Sequence, residues 1–254
     1  MAAGGFPPTV IPVRSSYYQP GSSRAENVER LFNRIAPRYD LLNDLQSFGL
    51  HRLWKRQLVS LAAARPGERA LDLCCGTGDI AFALAHQGAE VVGGDFSQAM
   101  LDVAAGRLRE HPTVPGQGTV AFKRLDALRL PYGSNRFDLV TIAYGLRNLS
   151  DFSLGIAEIA RVLRPGGRVF ILDFGKPDNA VWRACYFQYL RFGVPVLGRM
   201  FAGDREAYSY ILDSLQAYPG QRGVDQMLRD QGFRECGIQN FFGGIMSINA
   251  GRRD

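Results

Sequence analysis

Apolar and polar positions fall into two alternating rhythms along most of the chain. The first clear apolar run, Ala70–Cys75, enters a Gly76-Thr77-Gly78 turn, and Ile80, Phe82, Ala83, Leu84 and Ala85 then recur at helical spacing. That reads as strand, tight loop and helix, the opening unit of an α/β nucleotide-binding domain. Val91–Asp95, Val120–Leu125, Phe137–Ala143 and Arg168–Phe174 predict four more strands. One intervening helix begins after Ser97, a good N-cap, and another covers 151–163. Strand and helix repeated at short intervals predict a parallel sheet covered on both faces. A helix over 221–231 and strands near 233–240 and 244–250 complete the pattern, and the short Gly243-Gly244 link makes the last pair antiparallel.

Two regions stand outside this rhythm. Upstream, Val28, Leu31, Phe32 and Ile35 mark one face of a helix that Pro37 ends, and a second helix runs from about His51 to Ala64. Together, 24–66 form a helical cap ahead of the sheet. Downstream, 176–220 hold Trp182, Tyr186, Phe187, Tyr189, Phe192, Phe201, Tyr208, Tyr210 and Tyr218. That density suits either core helices or a lid over the carboxyl ends of the strands, where such sheets bind ligands. Residues 1–23 are rich in Gly, Pro and Ser and carry no acid. They predict a disordered tail, with an organellar (plastid) targeting segment as the alternative. The expected organisation is one domain over 24–250.

Composition narrows the class of protein. Of the 254 residues, 46% are apolar and 21% charged, enough to build a full core. The net charge of +6 comes almost wholly from Arg, and no basic run exceeds two residues. That is no nucleic-acid footprint, though it suits an anionic membrane surface. No apolar stretch is long enough to span a bilayer. Cys74, Cys75, Cys185 and Cys236 lack zinc-site spacing. They read as small buried residues in a reducing, cytoplasmic setting.

The glycine loop carries the chemistry. Gly76 and Gly78 let the backbone turn sharply and approach a ligand, and the helix after Asp79 points free N–H groups back at it. Gly76-Thr77-Gly78-Asp79-Ile80-Ala81 satisfies a relaxed dinucleotide fingerprint. Asp72 and Asp79 flank the loop, however, and would repel a pyrophosphate. A ligand with a sulfonium and an amino group, such as S-adenosyl-L-methionine, matches them better. Asp79 as a plain N-cap is the structural alternative. Asp95 stands roughly 20 residues past the first glycine, where a ribose-binding acid belongs in this architecture.

Asp72, Gly76-Thr77-Gly78, Asp95, Asp126-Ala127 and the Arg161-Val162-Leu163-Arg164-Pro165-Gly166-Gly167 turn resemble class I S-adenosylmethionine-dependent methyltransferases. Tyr39-Asp40, Asn43, Ser47, His51 and Trp54, with Gly145-Leu146-Arg147-Asn148, resemble more narrowly the quinone-biosynthesis C-methyltransferases. These act on demethylmenaquinone, ubiquinone-precursor or demethylphylloquinone rings, and the resemblance covers about 24–250. It implies a Rossmann-like seven-stranded sheet, mostly parallel with one antiparallel strand and helices on both faces. It implies a cofactor site at Asp72, Gly76, Thr77, Gly78, Asp95, Asp126, Ala127 and Ala143. Ala143 replaces a family Ser and so lacks its hydroxyl. Asp173-Phe174-Gly175 replaces a Glu-x-Ser pattern, and with Cys74-Cys75 it is similar to the naphthoquinone-directed branch.

The implied reaction methylates a ring carbon of a reduced, prenylated quinol without a metal. Arg147 then stabilises the phenolate or polarises a water, Asn148 orients the quinol oxygen, and Tyr39 and His51 contact substrate or relay a proton. Packing is the plainer role for Tyr39, and helix capping for His51. Such a protein works transiently at the inner face of a membrane, alone or as a homo-oligomer. A methyltransferase of another small molecule, an NAD-dependent oxidoreductase and a non-catalytic binding module are the competing readings.

Overall fold

The computed structural model describes residues 24–36, 39–113, 116–193 and 212–254. The expected tail over 1–23, and Phe201, Tyr208 and Tyr210, lie outside them. Strands β1 (Arg69–Leu73), β2 (Glu90–Asp95), β3 (Thr119–Arg124), β4 (Phe137–Ala143), β5 (Leu163–Phe174), β6 (Phe233–Phe241) and β7 (Met246–Arg253) form one sheet in the order β3-β2-β1-β4-β5-β7-β6. Neighbours from β3 to β5 pair parallel. Strand β7 runs antiparallel to both β5 and β6. The seven-stranded, mostly parallel sheet with one reversed strand is therefore as expected.

Period-two alternation divides the core between the two faces of the sheet. Leu71, Leu73, Val140, Ile142, Val169 and Ile171 pack with α6 (Phe152–Val162) and the helix over Gly220–Asp230. Ala70, Leu139, Phe170 and Leu172 pack with α3 (Leu50–Ala62) and α4 (Asp79–His86). Strand β4 is buried along nearly its whole length, so Phe137–Ala143 is almost unbroken apolar sequence rather than an alternation.

Chain order places the ligand crevice. From β1 the chain steps outward through β2 to β3, then returns to lay β4 on the other side of β1. The crossover direction reverses between β1 and β4, and the carboxyl ends of strands at such a switch point hold ligands. Helix α1 (Arg24–Ile35) packs near α5 (Gln98–Glu110), where Ser97 Oγ donates to Asn33 Oδ1 at 2.7 Å. The same hydroxyl accepts the Met100 N–H as the N-cap of α5.

Three boundaries differ from the sequence pattern. Helix α2 (Tyr39–Ser47) occupies the stretch before α3, and left-handed Phe48 and Gly49 turn the chain between the two. The Arg164-Pro165-Gly166-Gly167 turn lies within β5. Pairing resumes after an irregularity, Phe137 opposite Leu163 and Leu139 opposite Arg168, while Arg164 ion-pairs with Asp138. The aromatic segment splits its side chains. On α7 (Ala180–Gln188) and the π-helical turn Tyr189–Gly193, Tyr186 and Leu190 enter the core beside Leu215 and Tyr218. Val181, Trp182, Tyr189 and Phe192 face outward.

Candidate active site

The β1 and β4 ends meet through strained backbone. Cys74 and Tyr144, just beyond each strand, are both left-handed, at φ 53 and 57. Such geometry costs a non-glycine residue about 1–3 kcal/mol and clusters at functional sites. Gly145 follows because any side chain there would collide with Cys74. The Tyr144 carbonyl then accepts Arg147 Nη1 at 2.6 Å and Asn148 Nδ2 at 3.0 Å. One strained residue thus gathers both side chains of the Arg147-Asn148 motif.

A cavity opens at these strand ends. Tyr39, Gly76, Asp95, Asp126, Ala127, Ala143 and Asn148 line it, so seven of the expected site residues share one wall. Gly76 donates its N–H to Asp95 Oδ2 at 2.8 Å, and Ser97 donates to Oδ1 at 2.9 Å. Each Asp95 oxygen thus accepts one backbone N–H and keeps lone-pair capacity for a further donor. Burial raises the Asp95 carboxyl from its ordinary range, against the lowering effect of those hydrogen bonds. Asp126 is exposed at the rim and accepts the Leu128 N–H at 2.9 Å. Tyr39 reaches across from α2, its ring edge-on to Phe32 and burial raising its phenol.

The other expected residues stand off the wall, each for a visible reason. Asp72 is 1% exposed and accepts the Thr141 hydroxyl at 2.7 Å beneath the loop, and burial pushes its carboxyl up to about 7. Thr77 is buried, and its carbonyl accepts Arg107 Nη1 at 2.8 Å. Gly78 is wedged at φ 90 between Phe82 and Phe122, 2.9 and 2.8 Å from where a Cβ would sit. The left-handed φ and the close packing each require glycine there. Arg147 lies one layer behind the wall, its guanidinium 5.0 Å from the Phe174 ring centre and 3.7 Å from Asp173 Oδ1.

His51 is not at the cavity either. It sits buried in the α2–α3 hairpin with Nε2 2.8 Å from Asp44 Oδ1, while Arg52 holds the other Asp44 oxygen. Burial lowers its imidazole pKa. Gly49, not His51, stands at the N-cap of α3. In place of the expected position at the substrate, the structure shows His51 bonded to Asp44 within the hairpin and off this cavity wall.

Asp79 corrects the charge argument drawn from the loop. Lys55 Nζ and Arg107 Nη1 contact its two oxygens at 2.8 and 2.7 Å, so it offers no net negative charge to a ligand. Nor is it the N-cap, a position taken by left-handed Gly78. The acids on the cavity wall are instead Asp95, Asp126 and Glu29, the last paired with Arg124.

Sequence reading missed the apolar half of the wall. Val28 and Phe32 come from α1, Phe96 and Met100 from the β2–α5 junction, and Leu125 and Leu128 from beyond β3. Phe96 directly follows Asp95, and an aromatic beside a ribose-type acid was the one available signal. The described part of the aromatic segment adds nothing to this wall. Tyr186 and Tyr218 lie instead within electrostatic range of Arg147 and Asp173.

A family model for the ubiE/COQ5 methyltransferase family matches residues 21–253. The ubiquinone/menaquinone biosynthesis C-methyltransferase UbiE of Pseudomonas fluorescens is 39% identical over 235 residues, covering 91% of each chain. The UbiE protein of Teredinibacter turnerae is 36% identical, over 91% of this chain and 93% of its own. Among solved structures, the Haemonchus contortus phosphoethanolamine N-methyltransferase 2 bound to S-adenosylhomocysteine superposes with a TM-score of 0.58 at 17% identity. The match covers 79% of this chain and 52% of that one. The cyclase SpnF superposes at 0.60 with 20% identity, over 94% and 99%. Fold alone is thus shared with a protein named for different chemistry.

Asp79 has a depressed pKa of about 2, because Lys55 and Arg107 favour its charged form over the opposing effect of burial. A folded pKa below the unfolded value gives stability that is present above about pH 4 and lost as pH falls toward 2. Asp79→Asn should therefore cost about 1–2 kcal/mol at pH 7, after discounting for solvent screening. Urea unfolding at pH 7, 4 and 2.5 should show the difference from the parent protein shrinking as pH falls. A difference independent of pH would refute the ion-pair account.

Proposed function

The chain belongs to the ubiE/COQ5 methyltransferase family, and from that premise we propose that it methylates a ring carbon of a prenylated naphthoquinol, converting demethylmenaquinol to menaquinol. It is an S-adenosylmethionine-dependent C-methyltransferase of quinone biosynthesis. The observation that carries the acceptor reading is the two-ended cavity. Carboxylates line the β2–β3 end, and phenols and an amide line the β4 end.

The acidic end fits the cofactor. The remaining capacity of both Asp95 oxygens suits a vicinal ribose diol, and Asp126 at the rim suits an adenine amino group. Phe96, Met100, Leu125 and Leu128 supply the apolar surface that a purine needs. S-adenosylmethionine supplies an electrophilic methyl group carried on a sulfonium.

The other end fits an aromatic acceptor. C-methylation of a quinol needs the hydroxyl beside the reacting carbon to lose its proton, so that charge reaches that carbon. The attacked carbon later loses its own proton to restore aromaticity. The chain must therefore hold the ring, favour a phenolate and exclude water. Tyr39, Tyr144 and Asn148 surround that space, and the Arg147 charge stands behind the Tyr144 carbonyl. Arg147 acts through its field, since a guanidinium keeps its proton. Asp173-Phe174-Gly175 and Cys74-Cys75, similar to the naphthoquinone-directed branch, favour the bicyclic ring. Phe174 stands edge-on to Tyr144, 6.1 Å between centroids.

A prenylated acceptor lives in a bilayer. Among the described residues no helix is long and apolar enough to cross one. Trp182 Nε1 donates to the Phe242 carbonyl, and the Phe242 ring meets Trp54 edge-on. Trp182 and Phe242 are exposed there, as are Leu53 and Val181, which neighbour Trp54 and Trp182 in sequence. We propose that this surface rests on the inner face of a membrane in the cytoplasm and admits the headgroup.

Incubation with labelled S-adenosylmethionine and either reduced demethylmenaquinol or its benzoquinol counterpart tests the acceptor. Label should pass to the naphthoquinol, and transfer to the benzoquinol alone would overturn the assignment. Asp95→Ala should weaken cofactor binding by about 10- to 100-fold in calorimetry, the effect of losing hydrogen bonds to a charged group. Unchanged affinity would remove Asp95 from the ribose site. In liposome flotation with anionic lipid, Val181→Asp combined with Phe242→Asp should sharply reduce the bound fraction. Equal flotation would place the membrane surface elsewhere.

A further inference from the structure

Helix α1 has no chemical task, yet it supplies part of the cavity wall. Val28, Glu29 and Phe32 line the cavity with Asp95, Met100 and Leu125. Val28 and Phe32 stand four apart and so share one helix face. Met100 and Leu125 on the same wall are 1% and 6% exposed, and burial raises the Asp95 carboxyl. The cofactor end is therefore covered, and α1 is part of the cover.

The two halves of α1 are held differently. Toward the carboxyl end, Leu31 and the following Ala36 are buried, and Asn33 Oδ1 accepts the Ser97 hydroxyl at 2.7 Å. Toward the amino end, Glu29 Oε1 accepts Arg124 Nη2 at 2.8 Å, across 95 residues of sequence. The Glu29 and Arg124 side chains are 21% and 52% exposed. An ion pair in contact with water is weak and is screened by salt. Arg124 itself is fixed to the cavity wall. Its Nε donates to the Phe96 carbonyl at 3.1 Å, and its guanidinium stands 5.4 Å from the Phe96 ring centre.

From these contacts we infer that α1 is a gate over the cofactor end, latched by Glu29 and Arg124 and pivoting on its buried carboxyl half. Each methyl transfer leaves S-adenosylhomocysteine in the cavity, and that product must leave before the next S-adenosylmethionine enters. A cover that closes during reaction and opens for exchange meets both needs. A weak latch suits it, because a strong one would hold the product. Closure also reaches the other end of the cavity, since the Phe32 ring meets Tyr39 edge-on at 6.1 Å between centroids. The inference rests on the placement of the cofactor at Asp95 and makes no use of the acceptor.

S-adenosylhomocysteine is the probe, because it binds without turnover. In surface plasmon resonance on the full chain at low salt, Glu29→Gln should raise the on rate and the off rate together by about 3- to 5-fold, the effect of losing one exposed ion pair. The Kd should stay within about twofold, because a latch made in both the empty and the filled closed state alters the path between them. Arg124→Gln should act at least as strongly, and the double variant should be no faster than Arg124→Gln alone, since either change opens the same latch. Raising the salt to about 0.5 M should close most of the gap between Glu29→Gln and the parent, whose ion pair is then screened. A faster off rate alone, with Kd weakened in proportion, would make Glu29 a direct ligand contact and overturn the gate. Unchanged rates in both single variants would make α1 a fixed wall and overturn it equally. Asp95→Ala separates this inference from the placement it rests on. If that change leaves S-adenosylhomocysteine affinity intact, the placement falls and the gate with it. If it weakens affinity while Glu29→Gln moves neither rate, the gate alone falls.

Discussion

Strands β1 and β4 end side by side, and the chain leaves both through left-handed residues, Cys74 and Tyr144. Everything at the site depends on that close approach. Gly145 must be small because Cys74 fills the space beside it. With the backbone held there, the Tyr144 carbonyl faces the short helical turn that follows and collects Arg147 and Asn148. On the other side, the Cys75 N–H donates to the Gly94 carbonyl and the Gly76 N–H to the Asp95 carboxylate, which ties the loop to β2. The residues on either side of the cavity are thus fixed to one another by two strand ends and a few hydrogen bonds. A reaction limited by the relative placement of two reactants needs that rigidity.

The charges divide into those that build the site and those that face it. Lys55 and Arg107 together more than offset the Asp79 charge and pin α3 and α5 to the start of α4. Asp72 is turned inward, bound to Thr141 on β4. Asp95 and Asp126 remain for the cavity. Burying a carboxylate is costly unless it is hydrogen-bonded, and Asp95 meets that cost with two backbone N–H groups while keeping acceptor capacity. At the other end, Arg147 and Asp173 form a buried pair behind an uncharged wall. That wall presents phenols and an amide, with the positive charge at one remove.

The aromatic segment serves two environments. Its inward side chains extend the hydrophobic core, and its outward ones are exposed, with Trp182 bonded to the Phe242 carbonyl. Exposed apolar side chains of this kind mark contact with another protein, a membrane or a ligand.

The order of strands and helices was legible because period and length identify them locally. Apolar runs of strand length separated by helical spacing leave few alternatives to a parallel sheet. The joint motifs around Tyr39 and Arg147 narrowed the chemistry to quinol methylation, and the acid after β2 was placed by its distance from the loop. Contact partners were not legible. Asp79 looked like a ligand acid because nothing in the sequence joins it to Lys55, 24 residues away, or to Arg107, 28 away. His51 looked chemical until Asp44 closed around it, and Gly78 looked like a point of close ligand approach until two phenylalanines filled its sides. Phe32 gave no sign that α1 would fold over the cavity. Sequence determined which elements form and which residue types stand at the strand ends, because backbone preference and apolar periodicity act over a few residues. Only the tertiary structure decided which of those side chains face the cavity, because burial, ion pairing and steric contact depend on neighbours that the chain brings in from far along its length.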